Sequence, residues 1–176
     1  MSEHILEKQG VRIYIDEDPQ NPRTEWDNIT RMICFHSRYT LGDKHDYQHE
    51  DYASWYDLEQ AIRKQEKPAA LESLYMYDHS GLTIRTTPFN CPWDSGQIGF
   101  VLVTMETARK EFGAKRRSPT LIKRCLDMIE AEVRTYDQYL RGEVYGYVNE
   151  NNDDSCWGLY GYDPEELADA VLKGEI

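Results

Sequence analysis

The alternation of apolar and polar positions divides this chain into short strands and a few well-capped helices. Val11-Arg12-Ile13-Tyr14-Ile15 alternates with the period of a half-buried strand. Asp16 to Asn28, with Pro19 and Pro22, reads as a loop, and Ile29 to Phe35 as a second strand. A long polar stretch follows, from His36 to Tyr52. Ser54 is a good N-cap for a helix running to about Gln65, which Pro68 ends. Leu71–Tyr77 and Leu82–Thr86 form two strands across Asp78-His79-Ser80-Gly81, a four-residue hairpin signal. Ile98 to Val103 is continuously apolar, as a central strand would be, and Met105 to Phe112 is a short helix closed by Gly113.

The longest helix is the clearest. Ser118 caps it and Pro119 stands in its first turn. Leu121, Ile122, Cys125, Met128, Ile129, Val133, Tyr136 and Leu140 then recur at helical spacing. Arg141-Gly142 closes it. Strands are expected at Glu143–Val148 and Cys156–Tyr160. Asp163-Pro164-Glu165-Glu166 opens a last helix with a cap, a first-turn proline and acids matched to the helix dipole, ending at Gly174. The order predicts one α+β domain over residues 1–176. Its expected core is a mixed, mostly antiparallel sheet of about six to seven strands packed by about four helices.

Charge and composition sharpen this picture. The net charge is -12, and 13 tyrosines and 4 tryptophans give an unusual aromatic share. Tyr and Trp suit both half-buried sheets and contact surfaces. So acidic a surface repels nucleic acid, which argues against direct duplex binding. It suits a basic partner instead. Arg109, Lys110, Lys115, Arg116 and Arg117 form the one basic run. No 18-residue apolar run exists to span a membrane. Met1-Ser2-Glu3-His4 lacks the basic start and apolar stretch of a signal peptide. The four cysteines, Cys34, Cys91, Cys125 and Cys156, form no C-x-x-C pair. A reducing cytoplasm is the expected compartment. Cys34 and Cys125 read as core residues.

Two Cys/Trp loops carry the candidate chemistry: Phe89-Asn90-Cys91-Pro92-Trp93-Asp94-Ser95-Gly96-Gln97 and Asp153-Asp154-Ser155-Cys156-Trp157-Gly158. Polar groups on irregular backbone held by a scaffold are where sites usually lie. Cys91 is a candidate nucleophile if a base activates it. His36 and His79 are the candidate bases, Asp94 the candidate orienting carboxylate and Gln97 a candidate oxyanion donor. The opposing reading is a rigid Cys91-Pro92 turn packed under Trp93. In Asp43–Asp51, His45 and His49 are four apart and would share one face of a helical turn, a spacing compatible with metal. A solvated acidic loop accounts for the same residues, and no metal or cofactor is expected.

Three segments carry a resemblance: Cys91-Pro92-Trp93-Asp94-Ser95-Gly96-Gln97, Thr135-Tyr136-Asp137-Gln138-Tyr139-Leu140-Arg141-Gly142-Glu143-Val144-Tyr145-Gly146 and Asp154-Ser155-Cys156-Trp157-Gly158. With Tyr77-Asp78-His79-Ser80-Gly81 they resemble uncharacterised acidic accessory proteins of temperate phages and conjugative elements. The resemblance implies a setting in the bacterial host cytoplasm and a role of the anti-CRISPR or anti-restriction kind. The expected partner is then a basic, nucleic-acid-binding host effector, bound without chemistry. Asp43, Asp46, Glu50, Asp51, Trp93, Asp153, Asp154 and Trp157 are the expected contacts, with carboxylates in place of phosphates and aromatics in place of bases. The alternative is a small cytosolic enzyme using Cys91 with Asp94 and His36 or His79.

Overall fold

The computed structural model describes residues 4–176. The reading of the chain's first residues rests partly on Met1 to Glu3, which lie outside the described residues. The elements run β1 (Leu6–Lys8), β2 (Val11–Ile15), β3 (Arg31–Cys34), a 3-10 turn (His49–Asp51), α1 (Trp55–Glu66), β4 (Pro68–Asp78), β5 (Leu82–Arg85), β6 (Ser95–Thr104), α2 (Met105–Phe112), α3 (Pro119–Arg141), β7 (Tyr145–Asn149), β8 (Asp154–Leu159) and α4 (Pro164–Lys173). The α+β class is as expected. The single mixed sheet is not: the strands form two four-stranded antiparallel sheets, in the orders β1-β2-β7-β8 and β3-β6-β4-β5. The chain gathers into two compact units. Unit 1 comprises residues 1–25 and 135–176, and unit 2 residues 26–134.

Unit 1 is built on long-range pairing. β1 and β2 turn on Gln9 and Gly10, both with positive φ. A three-residue strand is too short to show a period, which is why β1 is invisible in the sequence pattern. β2 pairs with β7, Ile13 opposite Tyr147. α4 closes one face of this sheet. Asp163 accepts from the Glu166 N–H, and the Glu166 side chain returns to the cap, a complete capping box. Leu167, Ala168 and Val171 then pack on Val11, Ile13, Tyr145 and Tyr147. Burying each Leu or Val is worth about 1.5–3 kcal/mol relative to exposure. β8 is an edge strand, exposed from Asp154 to Gly158. Trp157 lies over Gly146, where any Cβ would come within 2.2 Å of the indole.

Unit 2 centres on β6, whose residues Ile98 to Val103 are all buried between β3 and β4. Leu58 and Ile62 of α1 pack on Ile33, Leu71, Phe100 and Leu102. Ser54 Oγ caps α1 by accepting from the Asp57 N–H at 3.2 Å. Lys67, in left-handed backbone, turns the chain into β4. Gly99 pairs with Cys34. A Cβ at position 99 would stand 1.9 Å from the Ile33 carbonyl oxygen, so β3 and β6 approach closely only because glycine is there. The Glu132 carboxylate of α3 accepts from Ile29 N–H at 2.8 Å, Thr30 N–H at 3.2 Å and Thr30 Oγ1 at 2.5 Å, fixing the entry to β3. No helix among the described residues is long and apolar enough to cross a membrane.

Candidate functional sites

The Cys91 loop and the β4–β5 hairpin meet because β4 pairs with β6, Tyr77 opposite Ser95. That register brings three of the proposed catalytic residues together. Cys91 Sγ lies 3.8 Å from Asp94 Oδ2, and His79 Nδ1 lies 3.4 Å from the same oxygen. The order is thiol, carboxylate, imidazole. A cysteine nucleophile needs the imidazole against its sulfur, to take the proton and hold the thiolate. Here the carboxylate occupies that place. His36 is engaged elsewhere: its Nδ1 accepts from the Arg38 N–H at 3.2 Å and its ring stacks on Tyr39. The Gln97 amide is spent within the sheet, on Ser73 Oγ and the Gly99 carbonyl, each at 3.3 Å. Ser95 Oγ donates to the Cys91 carbonyl and rigidifies the loop.

Around this loop the surface is aromatic. Tyr77 stacks with His79 and Phe89, and the Arg85 guanidinium sits 3.9 Å over the Phe89 ring. Trp93 packs under nothing: it is 91% exposed, against the expectation of a turn packed beneath it. A fully exposed indole on a braced loop has the form of a contact anchor.

The Asp43–Asp51 segment is not the helical turn that would align His45 with His49; only His49–Asp51 forms a short 3-10 turn. Among the described residues, no group of three or more His, Cys, Asp or Glu side chains is placed to hold a metal ion. The two rings instead face Phe35, at centroid distances of 4.8 and 5.6 Å, and His49 meets Trp55 edge-on at 4.5 Å. These aromatics wall a cavity of about 480 Å³, which Glu50 and Gln48 also line. Asp46 and Asp51 line an adjoining depression. Asp43 is structural, its carboxylate accepting from the Met32 N–H at 2.8 Å. His45 bonds the Cys34 carbonyl through Nε2 at 2.9 Å, while its Nδ1 is shielded from solvent without a partner. Sequence reasoning missed this cavity because its aromatic members are scattered through a polar stretch.

Charge is divided sharply between the units. Unit 1 holds 16 acidic and 5 basic residues, a net of -11; unit 2 holds 16 and 15, a net of -1. Asp153, Asp154 and Trp157, three of the expected contacts, lie on unit 1 at its exposed edge, and Trp157 is 49% exposed. Asp154 accepts from Tyr147 Oη at 2.6 Å, a bond that with burial pushes the phenol up to about 12. Cys156 is exposed; Cys34 and Cys125 are buried, as expected of core thiols. In the basic run of unit 2, Arg117 is committed to the Ala69 carbonyl at 3.0 Å. Lys115, Arg116 and Arg124 line a shallow cavity of about 360 Å³, with Arg124 over Phe112. Compared with known proteins, the chain matches no family model, no curated protein and no solved structure.

Proposed function

We propose that this protein is a phage or mobile-element inhibitor of a nucleic-acid-directed bacterial defence system, of the anti-restriction or anti-CRISPR kind. It acts in the host cytoplasm by stoichiometric binding to a basic effector surface, not by turnover. The observation that carries the reading is the segregation of charge, -11 on unit 1 against -1 on unit 2. A domain evenly charged for solubility has no need of such a division. A concentrated acidic field raises the on-rate for a basic groove and competes with the phosphates that groove was built for. Beside it, Trp157 and the Asp153–Asp154 pair place an aromatic face next to carboxylates, the combination that single-stranded nucleic acid presents. The Cys91 site favours the binding reading over catalysis, since its thiol faces a carboxylate.

The test uses purified restriction and CRISPR effectors, with binding measured at low and moderate salt and cleavage assayed in parallel. Capture that weakens with salt, with cleavage lost at one inhibitor per effector, is the expected result. Failure to bind across the effectors, or inhibition at substoichiometric protein, overturns the proposal.

A further inference from the structure

We infer that the 480 Å³ cavity of unit 2 is a receptor for a guanidinium group, an arginine side chain presented by the bound partner. The inference rests on the proposed function only for the identity of the protein that carries the arginine.

The walls set the shape of the ligand. Phe35 packs with His49 at 5.6 Å and Trp55 at 6.1 Å, and Trp55 is braced behind by Phe100 at 5.9 Å. Rings held by one another and by a core phenylalanine are already ordered, so a planar guest loses little to rearrangement. The rim sets the sign. Glu50 lines the cavity, Asp46 and Asp51 line the depression beside it, and no Lys or Arg lines the cavity itself. Arg31, the one cation in the adjoining depression, is neutralised by Glu66 at 2.7 Å. His45 is held in the wall by its Nε2, which donates to the Cys34 carbonyl at 2.9 Å.

A guanidinium answers both conditions. It is planar, permanently positive and weakly hydrated, it stacks on aromatic faces, and it carries five donors and no acceptor. A compact ammonium meets the charge but is more strongly hydrated and cannot stack. A neutral planar urea meets the shape but not the charge.

The test follows the Trp55 indole and the His49 ring by nuclear magnetic resonance in the full chain. N-acetyl-arginine amide is titrated against N-acetyl-lysine amide and N-acetyl-citrulline amide, the last a neutral isostere. Saturable shifts with arginine, about 3-fold weaker binding of lysine and no saturation with citrulline are expected. Glu50→Gln, at an exposed position where the fold does not depend on it, weakens the arginine probe about 5-fold. No saturation by arginine, equal binding of citrulline, or an unchanged affinity in Glu50→Gln overturns the inference. A partner arm separates the two proposals. Effector capture undiminished by Glu50→Gln overturns the arginine receptor and leaves the inhibitor standing. Saturable arginine binding with no effector captured does the reverse.

Discussion

Replacing Gly99 by alanine tests how unit 2 is held together and what places the aromatic cavity. The added methyl would stand 1.9 Å from the Ile33 carbonyl oxygen, where about 3.0 Å is the closest that real Cβ atoms come. The obstacle is backbone, so no side chain can swing aside. β3 must retreat from β6 by about 1 Å. The Phe35 N–H to Ile98 carbonyl bond, 2.7 Å long, then lengthens past 3.5 Å, and the Ile33–Phe100 pair, the next hydrogen-bonded pair of the ladder, opens with it. Two ladder bonds at about 1 kcal/mol each, with a part-buried carbonyl left short of a partner, come to about 3 kcal/mol. At 2–4 °C per kcal/mol for a chain of this size, the melting temperature falls by about 6–12 °C. Thermal denaturation followed by circular dichroism reads this out. Gly96→Ala is the control on the same strand, since a Cβ there meets nothing within 4 Å; its cost is within about 0.5 kcal/mol. A Gly99→Ala protein as stable as Gly96→Ala would refute the close approach of β3 and β6.

Other outcomes follow from exposed or titrating groups. Trp93→Ala leaves the melting temperature within about 1 °C, because the ring is 91% exposed, but weakens effector binding about 10-fold if the indole is an anchor. Cys91→Ser keeps both the fold and stoichiometric inhibition; loss of inhibition with the fold intact would revive the catalytic reading. The Tyr147 phenol is held up to about 12 by its bond to Asp154, so the folded state keeps a proton that the unfolded chain releases near 10. Its contribution is therefore complete below pH 10 and fades between 10 and 12, and Tyr147→Phe flattens that part of a stability-against-pH curve. Asp153→Asn suits the positive φ already adopted there, so it leaves stability unchanged and lowers the salt dependence of effector binding.

The helices were legible because their signals are local. Ser54, Asp163 and Gly174 act within one turn of chain, and each caps the helix it was expected to cap. The strands were legible one at a time from alternation, but alternation names no partner. β2 and β7 pair across 130 positions of chain, and nothing within either segment says that they leave β3–β6 to a separate sheet. The site was legible in the same uneven way. Cys91, Asp94 and His79 do converge, because both of their loops leave ends of paired strands. The order in which they touch depends on side-chain direction, which spacing does not encode. The His45–His49 spacing suggested a helical face, but the chain there follows Phe35 and Trp55, so the rings join an aromatic wall.

The division of the chain also sets an order of assembly. Unit 2 is continuous, residues 26–134, and can close once that stretch has left the ribosome. Unit 1 has no such freedom: β2 is made early, yet its partner β7 begins at Tyr145 and the helix that covers it at Pro164. The β1–β2 hairpin must wait, with the β2 edge unpaired, until the chain has been made from Ile15 through β7. A two-stranded hairpin is marginal on its own, so it is the acidic unit that is completed last. A truncation that removes α4 therefore abolishes the charged unit while sparing the one that holds the cavity.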